Sequence, residues 1–495
     1  MTARGDQIDF VRAVRLAGAA GVPFGDEPVD LVIDRGRIAD IAPTGALAAR
    51  GAVLEGEGNR MLPGLWDHHV HTVQWALDAE RVQLGDVASA AEASALMAAT
   101  EPMQDGRVVG AGMRDALWPD EPSLALLDAA CGDRPAYAIN MDVHSVWLNS
   151  AAFRREGFTP TADGMLREED AFEISRRLNA ADDETADAAV RRAGERAAAR
   201  GVTGIVDFDM AWNAAAWRRR SDAGFDAHRV ETAFYASMFS RAVEEGLHTG
   251  DVLSGTDDLV TVGPLKLITD GSLGTRTAAC SHAYGDDPAN FGVFTISPDE
   301  LREHLTAAMA AGIDVAVHAI GDRAVASALD AFTYTQATGT IEHAQLVRHA
   351  DLARFARLGV AASVQPTHAV DDRDLVSALW GNQQAISHPI ASLLTASIPM
   401  RFGSDAPVAP LDPWCTIAAA VHRTGDERAS WHPEERISVE AALRASSHHG
   451  ETDLELGGAA DLVLCGADPL TATREELIRM PVAATLLGGR LTHLG

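Results

Sequence analysis

The residues best suited to chemistry are histidines and an acid standing at the ends of short apolar runs. His69 and His71, in "LPGLWDHHVH", are two positions apart. Strand side chains alternate faces, so both imidazoles point the same way. Two imidazoles side by side on one strand suit a divalent metal. An isolated His-x-His pair is a weak signal, and three further placements strengthen it. His318 falls at the end of "GIDVAVHA", His343 at the end of "GTIEH" and Asp405 at the end of "SIPMRFGSD". Each is a ligand-type residue closing a separate apolar run, which is more than chance placement of structural histidines supplies.

A fifth residue stands out by composition. Lys266, in "VGPLKLITDGSLGTRT", is the only lysine in 495 residues; Lys and Arg together number 41, so arginine fills the other 40 cationic positions. If only charge or hydrogen bonding were needed here, arginine would serve. Lysine alone has an amine that can be deprotonated and then react. Carbon dioxide adds to such a neutral amine to give a carbamate, an extended carboxylate able to bridge two metal ions. The competing reading of a lysine in "PLKLI" is an outward side chain snorkelling to water.

The surrounding sequence must hold these residues in one place. Short β runs alternate with Ala-rich helical segments such as "ETADAAVRRAGERAAARG" and "SPDELREHLTAAMAAG". The runs fall at 61–71, 136–142, 201–208, 263–270, 312–319, 339–345, 359–366 and 397–405. Eight strands alternating with helices predict a (β/α)8 barrel, whose active site lies at the C-terminal strand ends where the candidates stand. "RVVGAGM" at 107–113 is a ninth run and leaves the assignment near the second strand open. Both termini read as β: "VDLVIDRGRIADIAP" is a hairpin signature, and "GGAADLVLCGADPL" and "PVAATLLGGRLTHLG" hold short apolar runs bounded by glycine. The expected organisation is a composite β-sandwich from 1–62 plus 436–495, with a barrel over 63–435.

Bulk properties exclude several function classes. A chain 47% hydrophobic and 23% charged is an ordinary globular one. A formal charge of −30 repels phosphate backbones and anionic lipid, so neither nucleic acid nor a membrane surface is an expected partner. The abundance of Ala, Gly and Arg points to nucleotide-composition bias as the source of the lysine loss, salt adaptation being the other reading. No run of 18 apolar residues occurs, and "MTARGDQIDFVRAVRLAG" lacks a secretory apolar core. Cys131, Cys280, Cys415 and Cys465 are widely spaced with no Cys-x-x-Cys, which suggests neither a disulfide framework nor a thiolate metal site. A cytoplasmic location is expected.

In order, "LPGLWDHHVH", "MDVHSVWLNSAAF", "LKLITDGSLGTRTA", "VHAIGDRAV", "IEHAQL", "SVQPTHA" and "FGSDAPV" resemble the metal-dependent amidohydrolase superfamily, specifically its family-3 branch, which includes N-substituted formamide deformylases. The resemblance implies that His69 and His71 bind a buried divalent metal, with zinc expected, and that His318 and His343 bind a more exposed one. Lys266 as a carbamate would bridge the two ions, although members with one ion also exist. It implies Asp405 as catalytic acid/base: two cations acidify a shared water, and Asp405 takes its proton and passes it to the leaving nitrogen. The implied reaction is hydrolysis of an amide-like C–N bond in a small molecule, by a chain compatible with a homodimer. Trp66 and His68 depart from the pattern, where smaller residues are usual, and His68 has the wrong parity to join His69 and His71.

Candidate substrate contacts are His144, Arg276 and His368, the last two being equally suited to pairing with neighbouring acids. Trp75 and Trp118 read as packing, His448-His449 as loop residues, and Asp207 and Asp209 equally as capping or supporting groups or as substrate contacts. A metal-dependent lyase or decarboxylase on the same barrel and an inactive scaffold are the alternative functions.

Overall fold

The computed structural model describes residues 2–16, 25–85, 87–103, 105–115, 118–140, 145–167, 169–179, 181–381, 383–450 and 454–495. Its contacts separate two units, Met1–Thr72 with Gly194–Gly495, and Val73–Ala193.

The larger unit contains a parallel barrel. Its strands are β1 (Leu65–Val70), β2 (Val202–Asp207), β3 (Arg229–Tyr235), β4 (Val260–Ile268), β5 (Val315–Ala319), β6 (Gly339–His343), β7 (Ala361–Val364) and β8 (Met400–Phe402). They pair in sequential order, and a parallel bridge from Val70 to Ala406 brings the last back to the first. Every residue of β1 and of β2 is buried, as strands covered on both faces require. The closure is tight because residue 403 is glycine. A Cβ there would lie 2.7 Å from both the Cβ and the backbone nitrogen of His69.

The intervening helices carry the signals that the sequence displays. In Pro298–Ala310, Ser297 and Glu300 form a reciprocal capping box with proline in the first turn. That helix buries Leu301, Leu305 and Ala308, one face at helical spacing.

The same unit holds an eight-stranded sheet built from both termini, in which Arg60–Pro63 pairs antiparallel with Leu462–Cys465. The hairpin Val29–Asp34/Arg37–Pro43 turns through Arg35 and Gly36, with φ of 47° and 75°. Two successive positive φ values are what a two-residue hairpin turn requires.

One expected strand placement is corrected and one barrel strand is added. Ala136–Asn140 is not a barrel strand. With Val108–Met113 it belongs to a separate five-stranded sheet within Val73–Ala193, which also contains Val82–Gln83, Ser145–Leu148 and Met165–Arg167. Apolar patterning identifies a strand but not the sheet it joins. The missing barrel strand is β3, "RVETAFY", whose polar start hides it. Arg229 and Glu231 are tolerated there because Arg229 pairs with Asp461 at 2.6 Å and Glu231 with His448 and His449 at 3.0 Å each. Among the described residues, no helix is long and apolar enough to cross a membrane.

Candidate functional site

The C-terminal ends of β1, β4, β5 and β6, with the segment after β8, bring His69, His71, Lys266, His318, His343 and Asp405 together. His69, His343 and Asp405 each present a donor atom within 4.8 Å of the others. His69 Nε2 lies 3.3 Å from Lys266 Nζ and 3.6 Å from Asp405 Oδ1, and His71 Nε2 lies 3.3 Å from the same oxygen. The His318 and His343 rings meet edge to face with centroids 4.5 Å apart. His343 and Asp405 leave their strands in left-handed backbone, φ 70° and 59°. Non-glycine residues adopt that region at a cost, and such positions cluster at functional sites.

The outward nitrogens of the histidines are fixed by buried acceptors. His69 Nδ1 donates to Glu342 Oε2 at 2.6 Å, and His343 Nδ1 donates to Gln365 Oε1 at 2.8 Å. That leaves Nε2 of each ring as the free lone pair, turned inward. Burial pulls His69 and His343 below the ordinary imidazole value and His318 down to about 3. All three are therefore neutral, the state that ligation requires. Neutral imidazoles held through Nδ1 and facing a carboxylate are a donor set that fits a divalent first-row metal.

Two electrostatic features complete the cluster. Burial pushes the Asp405 carboxyl up, but the charge His69 carries when protonated, the hydrogen bond from His71 and the charge His343 carries when protonated outweigh it and hold the group well below the carboxylate range. Burial also lowers the Lys266 ammonium to about 8, against the opposing pull of Glu342 and Asp405. Its Nζ lies 4.2 Å from the centre of the Phe208 ring, which itself packs on His69 at 4.5 Å. Lys266 is 3% exposed, so it does not snorkel to water.

The sequence pattern of the amidohydrolase family matches residues 53–493. This chain belongs to that family. It is 29% identical to the protein LONG AFTER FAR-RED 3 of Arabidopsis thaliana, over 95% of this chain and 89% of that one. It is 24% identical to the N-substituted formamide deformylase of Arthrobacter pascens, over 94% of each. A solved structure described as an uncharacterized metal-dependent hydrolase from Pyrococcus furiosus superposes with a TM-score of 0.76 at 26% identity, covering 93% of this chain and 99% of that one.

Several residues that shape this amidohydrolase's site escape a reading of strand ends. Glu342 precedes His343, and strand alternation would turn it away; it reaches β1 instead and holds His69. Asp67 Oδ1 accepts from the backbone of His69 at 3.1 Å and of Ser404 at 2.9 Å, joining the ends of β1 and β8. Burial raises Asp67 to about 6. Asp270 accepts from the amides of Ala279, Ile320 and Gly321 at 2.9, 3.1 and 2.9 Å and stands 3.5 Å from His318 Nε2. The available signal was a charged residue inside an apolar run, which needs a partner once buried.

The remaining candidates of the amidohydrolase divide. His368 is buried close enough to Asp405 to lower its pKa, and its Nδ1 lies 3.5 Å from Gln345 Nε2. Arg276 is exposed and pairs with Asp286 at 2.7 Å, so it is not brought to the cluster. His144 lies outside the described residues. Asp207 accepts from Trp217 Nε1 at 2.7 Å and from the Asp209 amide at 3.0 Å, a capping role. Trp118 donates Nε1 to Val87 O at 2.8 Å and packs in the core of Val73–Ala193. His68 Nδ1 donates to Phe402 O, 3.0 Å away, on the opposite face of β1 from His69. Trp66 fits because residue 204 is glycine: a Cβ there would sit 2.0 Å from the indole.

Proposed function

We propose that this amidohydrolase cleaves an amide-like C–N bond in a small N-formyl amine, N-acyl amine or related substrate at a divalent metal centre. His69, His71, His318 and His343 would hold the metal, and Lys266, as a carbamate, would complete the ligand set for two zinc ions. A single ion would engage the His69–His343–Asp405 subset. The observation that carries the reading is the convergence of neutral imidazoles and Asp405 around the chain's only lysine. The deformylase named above supports the bond class, and the metal-dependent hydrolase named above supports the metal.

A divalent metal bound there supplies Lewis acidity, polarising a carbonyl and acidifying water. The chain's own residues supply the rest. Glu342 and Gln365 hold the imidazole tautomers. Burial of Lys266 makes the neutral amine accessible near pH 8, as carbamate formation demands. Asp405, ionised and facing His69 and His71, accepts a proton from the attacking water and returns it to the leaving nitrogen.

The test is elemental analysis of the purified protein followed by a turnover screen of N-formyl, N-acyl and carbamoyl amines. Bound zinc with turnover of one class is expected. Lys266→Arg should abolish turnover and lower metal content, and Asp405→Asn should keep the metal while losing turnover by about 100-fold or more. Full activity in either variant, or in chelator-treated protein free of metal, would refute the reading.

A further inference from the structure

A second set of metal-type donors stands apart from the cluster, near the start of β3 rather than at the strand ends. His448 Nε2 and His449 Nε2 each lie 3.0 Å from the same oxygen, Glu231 Oε1, and one donor atom of each residue falls within 4.8 Å of the others. A cation with bonds of about 2.1 Å holds neighbouring donors about 3.0 Å apart at right angles and about 3.4 Å apart in a tetrahedron. Two of the three donor spacings, made here as hydrogen bonds from the imidazoles to Glu231, therefore match those of a ligand shell. Two histidines and one carboxylate are also the donor set that first-row divalent ions take with positions left for water.

The donors are held in place and open to solvent. The His448 ring packs on Trp66 with centroids 4.1 Å apart, and the two histidine rings lie 4.0 Å apart. The backbone leading to them is pinned to β1, because the Trp66 amide donates to Ser446 O at 2.7 Å. His449 turns toward Glu231 through left-handed backbone, φ 50°. The nearby Arg229 is neutralised by Asp461 at 2.6 Å. The histidine side chains are 41% and 39% exposed, while Glu231 is 15% exposed, so an ion can enter over the imidazoles and meet a largely buried carboxylate.

We propose that Glu231, His448 and His449 form a second divalent-cation site, taking a first-row ion such as Zn2+ with water completing its shell. The ion ties β3 to the turn at 448–450 that precedes the returning sandwich segment. No residue of the catalytic cluster takes part, so the proposal stands independently of the catalytic one.

The test compares wild type with the double variant His448→Ala/His449→Ala, each stripped of metal and dialysed against excess Zn2+. Wild type should retain one zinc per chain more than the double variant, and His69→Ala should lose turnover while keeping this extra ion. A zinc-edge anomalous map of wild-type crystals should show a peak between Glu231, His448 and His449, which decides the matter even where the double variant does not fold. Equal zinc content in the two proteins, or no peak, overturns the proposal. A peak with equal content in solution is an adventitious ion and overturns it too.

Discussion

Glu342→Gln isolates the part of the site that holds a ligand without touching the metal. Glu342 Oε2 and His69 Nδ1 are 2.6 Å apart, and their side chains are 1% and 2% exposed. A charge-assisted hydrogen bond in such a place contributes about 1.5–3 kcal/mol. Its strength should depend on the opposite side of the ring: a cation on Nε2 makes the Nδ1 proton more acidic and tightens the bond. Burial pushes the Glu342 carboxyl up, but the His69 hydrogen bond and Lys266 hold it at about 2, so the charge is present at any working pH. Glutamine keeps the shape and an acceptor oxygen while removing that charge. The loss should therefore fall on metal affinity, weakening it by about 10–100-fold, or roughly 1.4–2.7 kcal/mol. The assay is competition for Zn2+ between metal-stripped protein and a chromophoric chelator, with circular dichroism confirming that both proteins are folded. An affinity within twofold of wild type would refute the argument that Glu342 acts through His69.

Three further outcomes follow from named contacts. Gly403→Ala places a Cβ 2.7 Å from His69, so the thermal midpoint should fall, by an overpacking cost of about 1–3 kcal/mol, and zinc uptake should fall with it; an unchanged melt would mean that the approach of β8 to β1 is not this close. Arg276→Ala removes only an exposed ion pair to Asp286, so stability should change by less than about 1 kcal/mol and kcat/KM by less than about twofold; a tenfold fall in kcat/KM would return Arg276 to the substrate site. In metal-stripped protein, the folded state holds Lys266 at about 8, below its ordinary 10.5, and so binds fewer protons than the unfolded chain across that interval. Stability should therefore rise as pH increases from about 8 to 10.5, by at most about 3.4 kcal/mol. Urea midpoints measured across the window in wild type and Lys266→Met check this, and equal slopes would sink it.

The sequence made the cluster legible wherever a ligand-type residue closes an apolar strand, because a parallel barrel puts all its strand ends on one rim. That logic located His69, His318, His343 and Asp405 without any pairing information. It failed where the decisive fact was a pairing. The run at 136–142 has the same texture as a barrel strand, and only its hydrogen bonds to Val108–Met113 and Ser145–Leu148 assign it to another sheet. β3 was hidden for the opposite reason: Arg229 and Glu231 break its apolar pattern, and their partners Asp461, His448 and His449 lie more than two hundred residues away. Glu342 and Asp270 were invisible for a related reason, since each acts on a histidine from another strand.

Lys266 joins the two kinds of information. Composition marked it as the one Lys/Arg position not filled by arginine. The structure supplies the environment: a buried amine lowered to about 8, set against Phe208 and 3.3 Å from His69 Nε2. Converting that amine to a carbamate would exchange a cation for a further buried anion beside Glu342 and Asp405. Several buried anions among imidazoles are tolerable only when a cation compensates them. Under the proposed function, carbamate formation and metal uptake at this site would therefore be one coupled event, running through the lone lysine.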